Sequence, residues 1–156
     1  MQMNAEEAIR ALTGAEGVQE IKALSERRIL VACSRDAYRG VVGRLAGLGF
    51  NHVVAMTGVD MKEGIDLLLH LGSSLMVTVR VRLDPSRPKI SSVSDILPGA
   101  EMREREVRDL LGVEFEGHPS PSRFMVSEDW PAGVYPLRKA FTPATAAPET
   151  RRSGPG

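Results

Sequence analysis

The sequence predicts an α+β fold with one mostly antiparallel sheet, helices packed on one face of it, and an extended C-terminal strap. Residues 65–71 and 75–83 are apolar runs joined by a Gly-Ser-Ser turn, which is the pattern of a β-hairpin. In the second run, apolar side chains alternate with threonine and arginine, as in a strand that buries one face. Two helices in the first half of the chain and about five strands, with the strands grouped in hairpins, indicate an α+β sandwich.

The first half of the chain predicts two helices and two strands. Residues 5–13 place apolar side chains at helical spacing between an asparagine suited to an N-cap and a glycine that stops the helix. Residues 18–24 and 28–32 have the composition of short strands on either side of a Ser-Glu-Arg turn. Residues 36–48 have the period of a helix, which their glycines weaken while allowing close approach to a sheet.

A third strand is predicted over residues 50–59, ahead of the hairpin. Residues 84–89 carry two prolines and predict a turn, and residues 93–97 predict a short helix. Residues 100–111 predict one charged helix, because Pro-Gly precedes them and a glycine follows at the position of a helix C-cap.

Charges of both signs are dense along this last helix. Glu106 lies one turn from Met102 and one turn from Leu110, so its carboxylate is expected beside apolar side chains. A carboxylate buried there needs a cation, strong hydrogen-bond donors or a proton. We expect Arg105, Glu106 and Asp109 to do more than face solvent. Three exposed pairs four residues apart, each worth a few tenths of a kcal/mol, are also predicted: Glu101–Arg105, Glu104–Arg108 and Arg105–Asp109.

The segment after this helix is rich in Pro, Gly, Trp and Tyr and cannot continue it. Proline-stiffened chain loses little entropy on docking, and Trp130 and Tyr135 are residue types that often carry interface energy. The segment could equally be a loop packed on its own domain, with Trp130 as an anchor. The predicted division is an α+β domain (residues 1–112), a docking strap (residues 113–141) and a disordered tail without bulky apolar residues (residues 142–156).

Composition excludes several classes of function. Lys+Arg and Asp+Glu both total 20, so the basic excess of a nucleic-acid-binding domain is missing. Cys33 is the only cysteine and lies in a buried-strand pattern, so neither an intrachain disulfide nor an iron–sulfur cluster on this chain is expected. The acidic, amphipathic start predicts no signal peptide, and no apolar run is long enough to span a bilayer. Any membrane association is expected to go through a partner.

Enzymatic chemistry has few candidates. His52 and His70 lie in or beside strand patterns and are expected to be structural, whereas His118 lies on the strap. A stand-alone hydrolase or lyase could use Glu106 and His118, with Asp109, as general acid and base. No metal-binding or nucleophile–base motif accompanies them, and the chain has no glycine-rich phosphate loop after a strand. A pocket joining Glu106 to His118 would favour this alternative.

The run at residues 104–119, EREVRDLLGVEFEGHP, resembles the signature of the complex I 30-kDa subunit, a component of NADH-quinone oxidoreductase. Asp129-Trp130 and the YPLRK of residues 135–139 match the next block of that family in order and rough spacing. Two positions depart from it: Met102 stands where many members have Trp, and Ala140 where an acidic residue is usual. The long segment at residues 129–136 is more similar to subunits of energy-converting NiFe hydrogenases and formate hydrogenlyase.

The resemblance implies a cofactor-free structural subunit of the peripheral arm of a complex I-like enzyme, at the cytoplasmic side of the membrane. It would dock on a large catalytic subunit resembling a NiFe-hydrogenase large subunit, next to a small iron–sulfur subunit, with the clusters held by these partners. The equivalent subunit of a membrane-bound hydrogenase or formate hydrogenlyase is the alternative. Arg105 and Arg138 would pair with partner carboxylates. Carried over by position, the interface residues are Glu104, Arg105, Glu106, Asp109, Gly117, His118, Pro119, Arg123, Asp129, Trp130, Tyr135, Pro136, Arg138 and Lys139.

Overall fold

The computed structural model describes residues 3–72, 74–120, 122–127 and 129–143. Within them the chain forms three helices and seven strands. Residues 144–156, most of the predicted disordered tail, lie outside the described residues. In chain order the elements are α1 (Ala5–Leu12), β1 (Val18–Ser25), β2 (Arg28–Cys33), α2 (Tyr38–Gly47), β3 (Val53–Asp60), β4 (Ile65–Gly72), β5 (Met76–Leu83), β6 (Lys89–Ser91), α3 (Ala100–Leu111) and β7 (Glu114–Glu116).

The main sheet has five strands in the order β1-β2-β5-β4-β3. Three of its four pairings are antiparallel, including the predicted β4–β5 hairpin, in which Leu69 lies opposite Val79. β2 and β5 pair in parallel, because the chain crosses over between them through α2, β3 and β4. The predicted mostly antiparallel sheet is confirmed.

The helices share one hydrophobic core with the inner face of the sheet. On β5 the side chains of Val77, Val79 and Val81 are fully buried, and the polar residues that alternate with them point to the other face. α3 lies close against β3 because Gly58 has no side chain: a Cβ there would come within 2.3 Å of Leu111. Cys33 is buried in this core, as its strand pattern predicts.

A second, two-stranded parallel sheet was not predicted. β6 pairs with β7, with Ile90 opposite Phe115, and both of these side chains are buried. Strands of three residues are too short to show a period in the sequence. β7 lies inside the predicted strap, so the strap begins as a strand of the folded domain; the proposed division of the chain stays a prediction.

The short helix predicted over residues 93–97 is wrong. The segment makes a single hydrogen-bonded turn, in which the amides of Ile96 and Leu97 both donate to the carbonyl of Val93. Pro98 follows at once, and a residue before proline avoids the helical region. The helix over residues 100–111 is confirmed, and it ends on the predicted Gly112, whose φ is +77°. No helix in the described part of the chain is long and apolar enough to cross a membrane.

Candidate protein-interaction surface

The strap runs along α3 from its N-terminal end to its C-terminal end. The ring of His118 hydrogen-bonds the Glu101 carbonyl oxygen at 2.9 Å, near the start of the helix. Two turns further on, Asp109 accepts hydrogen bonds from the strap backbone. At the end of the helix the amide of Leu137 donates to the Leu110 carbonyl at 3.0 Å. The sequence-predicted helix and strap are therefore one contiguous structure.

Two guanidinium groups of α3 bind the strap through its carbonyl oxygens. Arg105 donates to the carbonyls of Ser122 (3.2 Å) and Arg123 (3.1 Å) and to the Ser122 hydroxyl (3.0 Å). Arg108 donates to the carbonyls of Ser120 (3.3 Å) and Ser122. A chain outside a sheet has no ladder to satisfy its carbonyls, so these arginines supply the missing donors.

These contacts correct the three ion pairs predicted along the helix. Arg105 binds the strap and does not pair with Glu101 or Asp109. Arg108 also binds the strap and does not pair with Glu104. The observed pairs are Arg103–Glu106 at 3.9 Å and Arg108–Asp109 at 3.6 Å. The sequence could not indicate this, because backbone carbonyls, which every residue carries, compete for the guanidinium groups.

The buried Asp109 side chain holds the middle of the strap. Its Oδ2 atom accepts the backbone N–H of Phe124 at 2.6 Å and that of Met125 at 2.9 Å. Hydrogen bonds to an ionised acceptor are stronger than those between neutral groups. The expectation that Asp109 does more than face solvent is confirmed.

The C-terminal end of the strap is fixed by Arg138. Its Nε atom donates to the Leu111 carbonyl at 2.5 Å and its Nη1 atom to the Pro85 carbonyl at 3.2 Å, while the guanidinium carbon lies 5.7 Å from the centre of the Tyr135 ring. The Tyr135 ring in turn lies over Gly112, where a Cβ would come within 2.4 Å of it. Gly112 thus allows both the left-handed backbone at the end of the helix and the close approach of the Tyr135 ring of the strap.

Beyond Arg138 the strap reaches the end of β3. The amide of Lys139 donates to the Asp60 carboxylate at 2.9 Å. The pKa of Asp60 is lowered, mainly by this hydrogen bond and next by a hydrogen bond from the Lys62 amide. The strap therefore bridges α3 and the edge strand of the sheet.

Trp130 lies in a ring cluster formed by the strap itself. Its indole N–H donates to the Val134 carbonyl at 2.7 Å, and its ring stacks on Phe141 with centroids 6.0 Å apart. Arg123 donates to the carbonyls of Ser127 (2.8 Å) and Trp130 (2.5 Å) and closes this loop. A cavity of about 400 Å³, lined by parts of the strap and of the C-terminal end of α3, lies beside the cluster.

Of the two glutamates Glu104 and Glu106, the buried one is Glu104. Glu104 is 0% exposed and accepts the Ser92 hydroxyl at 2.6 Å and the Val93 amide at 2.8 Å. Burial raises its pKa, against the lowering effect of these donors. Glu106 keeps 31% of its side chain exposed, beside Arg103. The segment after β6 packs over α3 and covers Glu104. This segment includes residues 93–97, for which the predicted short helix is wrong.

The His118 side chain is nearly buried and hydrogen-bonds both α3 and the strap. Its side chain is 7% exposed, its Nδ1 accepts the Ser120 amide at 3.0 Å, and its Nε2 lies 3.7 Å from Glu104. Because Nδ1 accepts, the proton is on Nε2, which donates to Glu101. Glu104 lines a cavity beside His118 and Glu106 does not, so this cavity does not join Glu106 to His118. Within the described ranges, no three His, Cys, Asp or Glu side chains could hold a metal ion.

The other predicted interface residues lie on the strap. Gly117, Pro119, Asp129 and Lys139 are exposed, and Pro136 is half-buried. Sequence reasoning did not single out Phe124 and Met125, which are exposed on the strap. The signal that could have identified them is the short apolar run of residues 124–126, which has Ser-Arg before it and Ser after it.

Comparison with known proteins identifies the family. The family described as respiratory-chain NADH dehydrogenase, 30 Kd subunit, matches residues 31–147. An NADH-quinone oxidoreductase subunit of Moorella thermoacetica is 38% identical over 98 residues, covering 60% of this chain and 65% of the relative. An F(420)H(2) dehydrogenase subunit of Methanosarcina mazei is 30% identical over 147 residues, covering 89% and 92%. Formate hydrogenlyase subunit 5 of Escherichia coli is 41% identical over 73 residues, covering 47% of this chain but only 13% of that protein.

Solved structures agree with this. A chain of the membrane-bound sulfane sulfur reductase, an archaeal respiratory membrane complex, superimposes with a TM-score of 0.77 at 32% identity, covering 88% of this chain and 84% of that one. The trypsin-resistant fragment of Nqo5 superimposes with a TM-score of 0.61 at 28% identity, covering 74% and 94%. The chain therefore belongs to the family of the 30-kDa subunit of respiratory-chain NADH dehydrogenase.

Proposed function

We propose that this chain is a structural subunit, without a cofactor of its own, in the peripheral arm of a complex I-like electron-transfer complex. It docks on the large catalytic subunit through α3 and the strap. The proposal rests on the way the strap is held. Guanidinium groups and one carboxylate form hydrogen bonds with the carbonyl and N–H groups of its backbone, while large apolar side chains on the strap stay exposed. A segment built like this offers side chains to a partner on an ordered backbone.

The partners we propose are a large subunit resembling a NiFe-hydrogenase large subunit and a small iron–sulfur subunit. Electron transfer takes place on clusters of these partners, and the chain reaches the cytoplasmic side of the membrane only through the complex. The relatives named as subunits of NADH-quinone oxidoreductase support the respiratory form. The likeness to formate hydrogenlyase subunit 5 and to the sulfane sulfur reductase favours, as a second candidate, the equivalent subunit of a hydrogenase-type membrane complex.

The test is co-purification of the tagged full chain with the large subunit encoded beside it. We expect the wild type to retrieve the large subunit and the double variant Trp130→Ala, Arg138→Ala to lose it. Both changes remove contacts that shape the strap, since Arg138 binds Leu111 and Pro85 and Trp130 closes the ring cluster.

The sheet and its core do not include these side chains, so the double variant should keep its far-UV circular dichroism. Arg35→Ala is the matched control, because Arg35 is an exposed arginine whose ion partner is its neighbour Asp36. Retrieval of the large subunit by the double variant at the wild-type level would contradict the docking role of the strap.

A further inference from the structure

Two adjacent apolar side chains stand out on the strap. Phe124 is 40% exposed and Met125 is 50% exposed. Their backbone amides are both bonded to the buried carboxylate of Asp109, so the backbone faces α3 and is held in place. The chain therefore presents an apolar pair on a fixed backbone, which is the arrangement of an interface anchor rather than of a loose loop.

One cation lies beside the Phe124 ring. The guanidinium carbon of Arg105 lies 5.2 Å from the centre of the Phe124 ring. The Nε and Nη2 atoms of Arg105 donate to carbonyl oxygens and a hydroxyl, which do not neutralise its charge. Among the described residues, no carboxylate lies within ion-pair distance of Arg105. A complementary surface would be apolar in the middle and would carry negative charge at its edge.

We propose that Phe124 and Met125, with Arg105 beside them, are the anchor by which the strap enters an apolar pocket of the large subunit rimmed by carboxylates. This inference rests on the proposed docking function and specifies which part of the strap carries the affinity. Methionine adapts its shape to an irregular pocket, and an aromatic ring adds contact area at a low entropy cost. The carboxylate rim would pair with the charge that Arg105 retains.

The test measures the affinity of the full chain for the purified large subunit. Phe124→Asp and Met125→Asp should each weaken binding by about thirtyfold or more, as at interface hot spots. Phe124→Lys removes the same ring but brings a cation, so we expect it to bind better than Phe124→Asp by about threefold or more. Leu24→Asp is the matched control, since Leu24 is 52% exposed on β1 and should leave binding unchanged.

Thermal melting of each isolated variant checks that it folds, and the exposed positions make this the expected result. Wild-type affinity in Phe124→Asp and Met125→Asp would overturn the anchor while leaving docking intact. A loss in Phe124→Lys as large as in Phe124→Asp would overturn the carboxylate rim. Failure of the wild type to bind the large subunit would overturn the docking function itself. Self-association or binding to anionic vesicles that the same variants abolish would assign the anchor to a second copy or to lipid, and overturn the inference.

Discussion

Replacing Asp109 tests whether one buried carboxylate holds the strap on α3. Its Oδ2 atom accepts two strap amides, at 2.6 and 2.9 Å. A hydrogen bond to a charged group contributes about 1.5–3 kcal/mol and a neutral one about 1 kcal/mol. Asp109→Asn keeps an oxygen acceptor and loses the charge, so the free energy of local opening of the strap should fall by about 1–3 kcal/mol. Asp109→Ala removes both bonds and should lower it by about 3 kcal/mol or more.

Amide hydrogen exchange measures this opening residue by residue. Since 1.4 kcal/mol corresponds to a factor of ten, exchange of the Phe124 and Met125 amides should accelerate by about fivefold or more in Asp109→Asn. It should accelerate by about a hundredfold or more in Asp109→Ala, up to the limit set by global unfolding. The amides of β4 and β5 act as an internal reference, because their hydrogen bonds are made within the main sheet.

The matched control is Asp129→Asn, which changes the same charge at an exposed position of the strap. It should leave exchange at Phe124 and Met125 unchanged. Wild-type exchange rates at these two amides in Asp109→Ala would refute the reasoning, because the strap would then be held without the carboxylate. Equal acceleration in Asp129→Asn would show that net charge on the strap, not the two hydrogen bonds, controls its opening.

Two further predictions concern Glu104 and the two glycines Gly112 and Gly117. Burial raises the pKa of Glu104 above its ordinary value of 4.5, so the folded state holds the proton more tightly than the unfolded chain and stability falls as pH rises from 4.5 through the folded-state pKa. Glu104→Gln should flatten this part of the stability curve in thermal melts across pH, and an unchanged slope would contradict the assignment. Gly117→Ala, at φ +82° in open space, should cost about 1–2 kcal/mol in urea unfolding, and Gly112→Ala clearly more because of the Tyr135 ring. Equal losses would show that the ring moves aside freely.

Local signals in the sequence were sufficient for much of the fold. α3 begins after Pro98-Gly99 and ends at Gly112 as predicted, because proline and glycine restrict the backbone directly. The β4–β5 hairpin follows from strict alternation along β5. By contrast, β6 and β7 pair across more than twenty residues with three residues each, and such a contact leaves no local period to detect.

The candidate site shows the same limit in a different form. Glu104 and Glu106 are two residues apart on a charged helix, and which of them is buried depends on what covers each side of α3. The covering segment begins at Ser92 and includes Val93, both of which donate to Glu104. The sequence favours Glu106 because Met102 and Leu110 lie one turn away, yet Met102 is 50% exposed and provides no buried surroundings. Burial of Glu104 depends instead on a segment that contacts α3 from outside the helix, which the pattern of the helix alone cannot reveal.

The contacts of the arginines also decide how a partner can recognise this chain. From the sequence, Arg105 and Arg138 are expected to pair with carboxylates of another subunit. In the structure, both donate hydrogen bonds to carbonyl oxygens of their own chain. The strap is thereby ordered before docking and loses less entropy when it binds. With much of its backbone engaged inward, it offers few groups for strand addition. Recognition must then rest on exposed side chains and on the positive charge of the arginines, which hydrogen bonds to carbonyl oxygens do not neutralise. We therefore expect the affinity to depend on apolar contact and the rate of association to fall as the salt concentration rises.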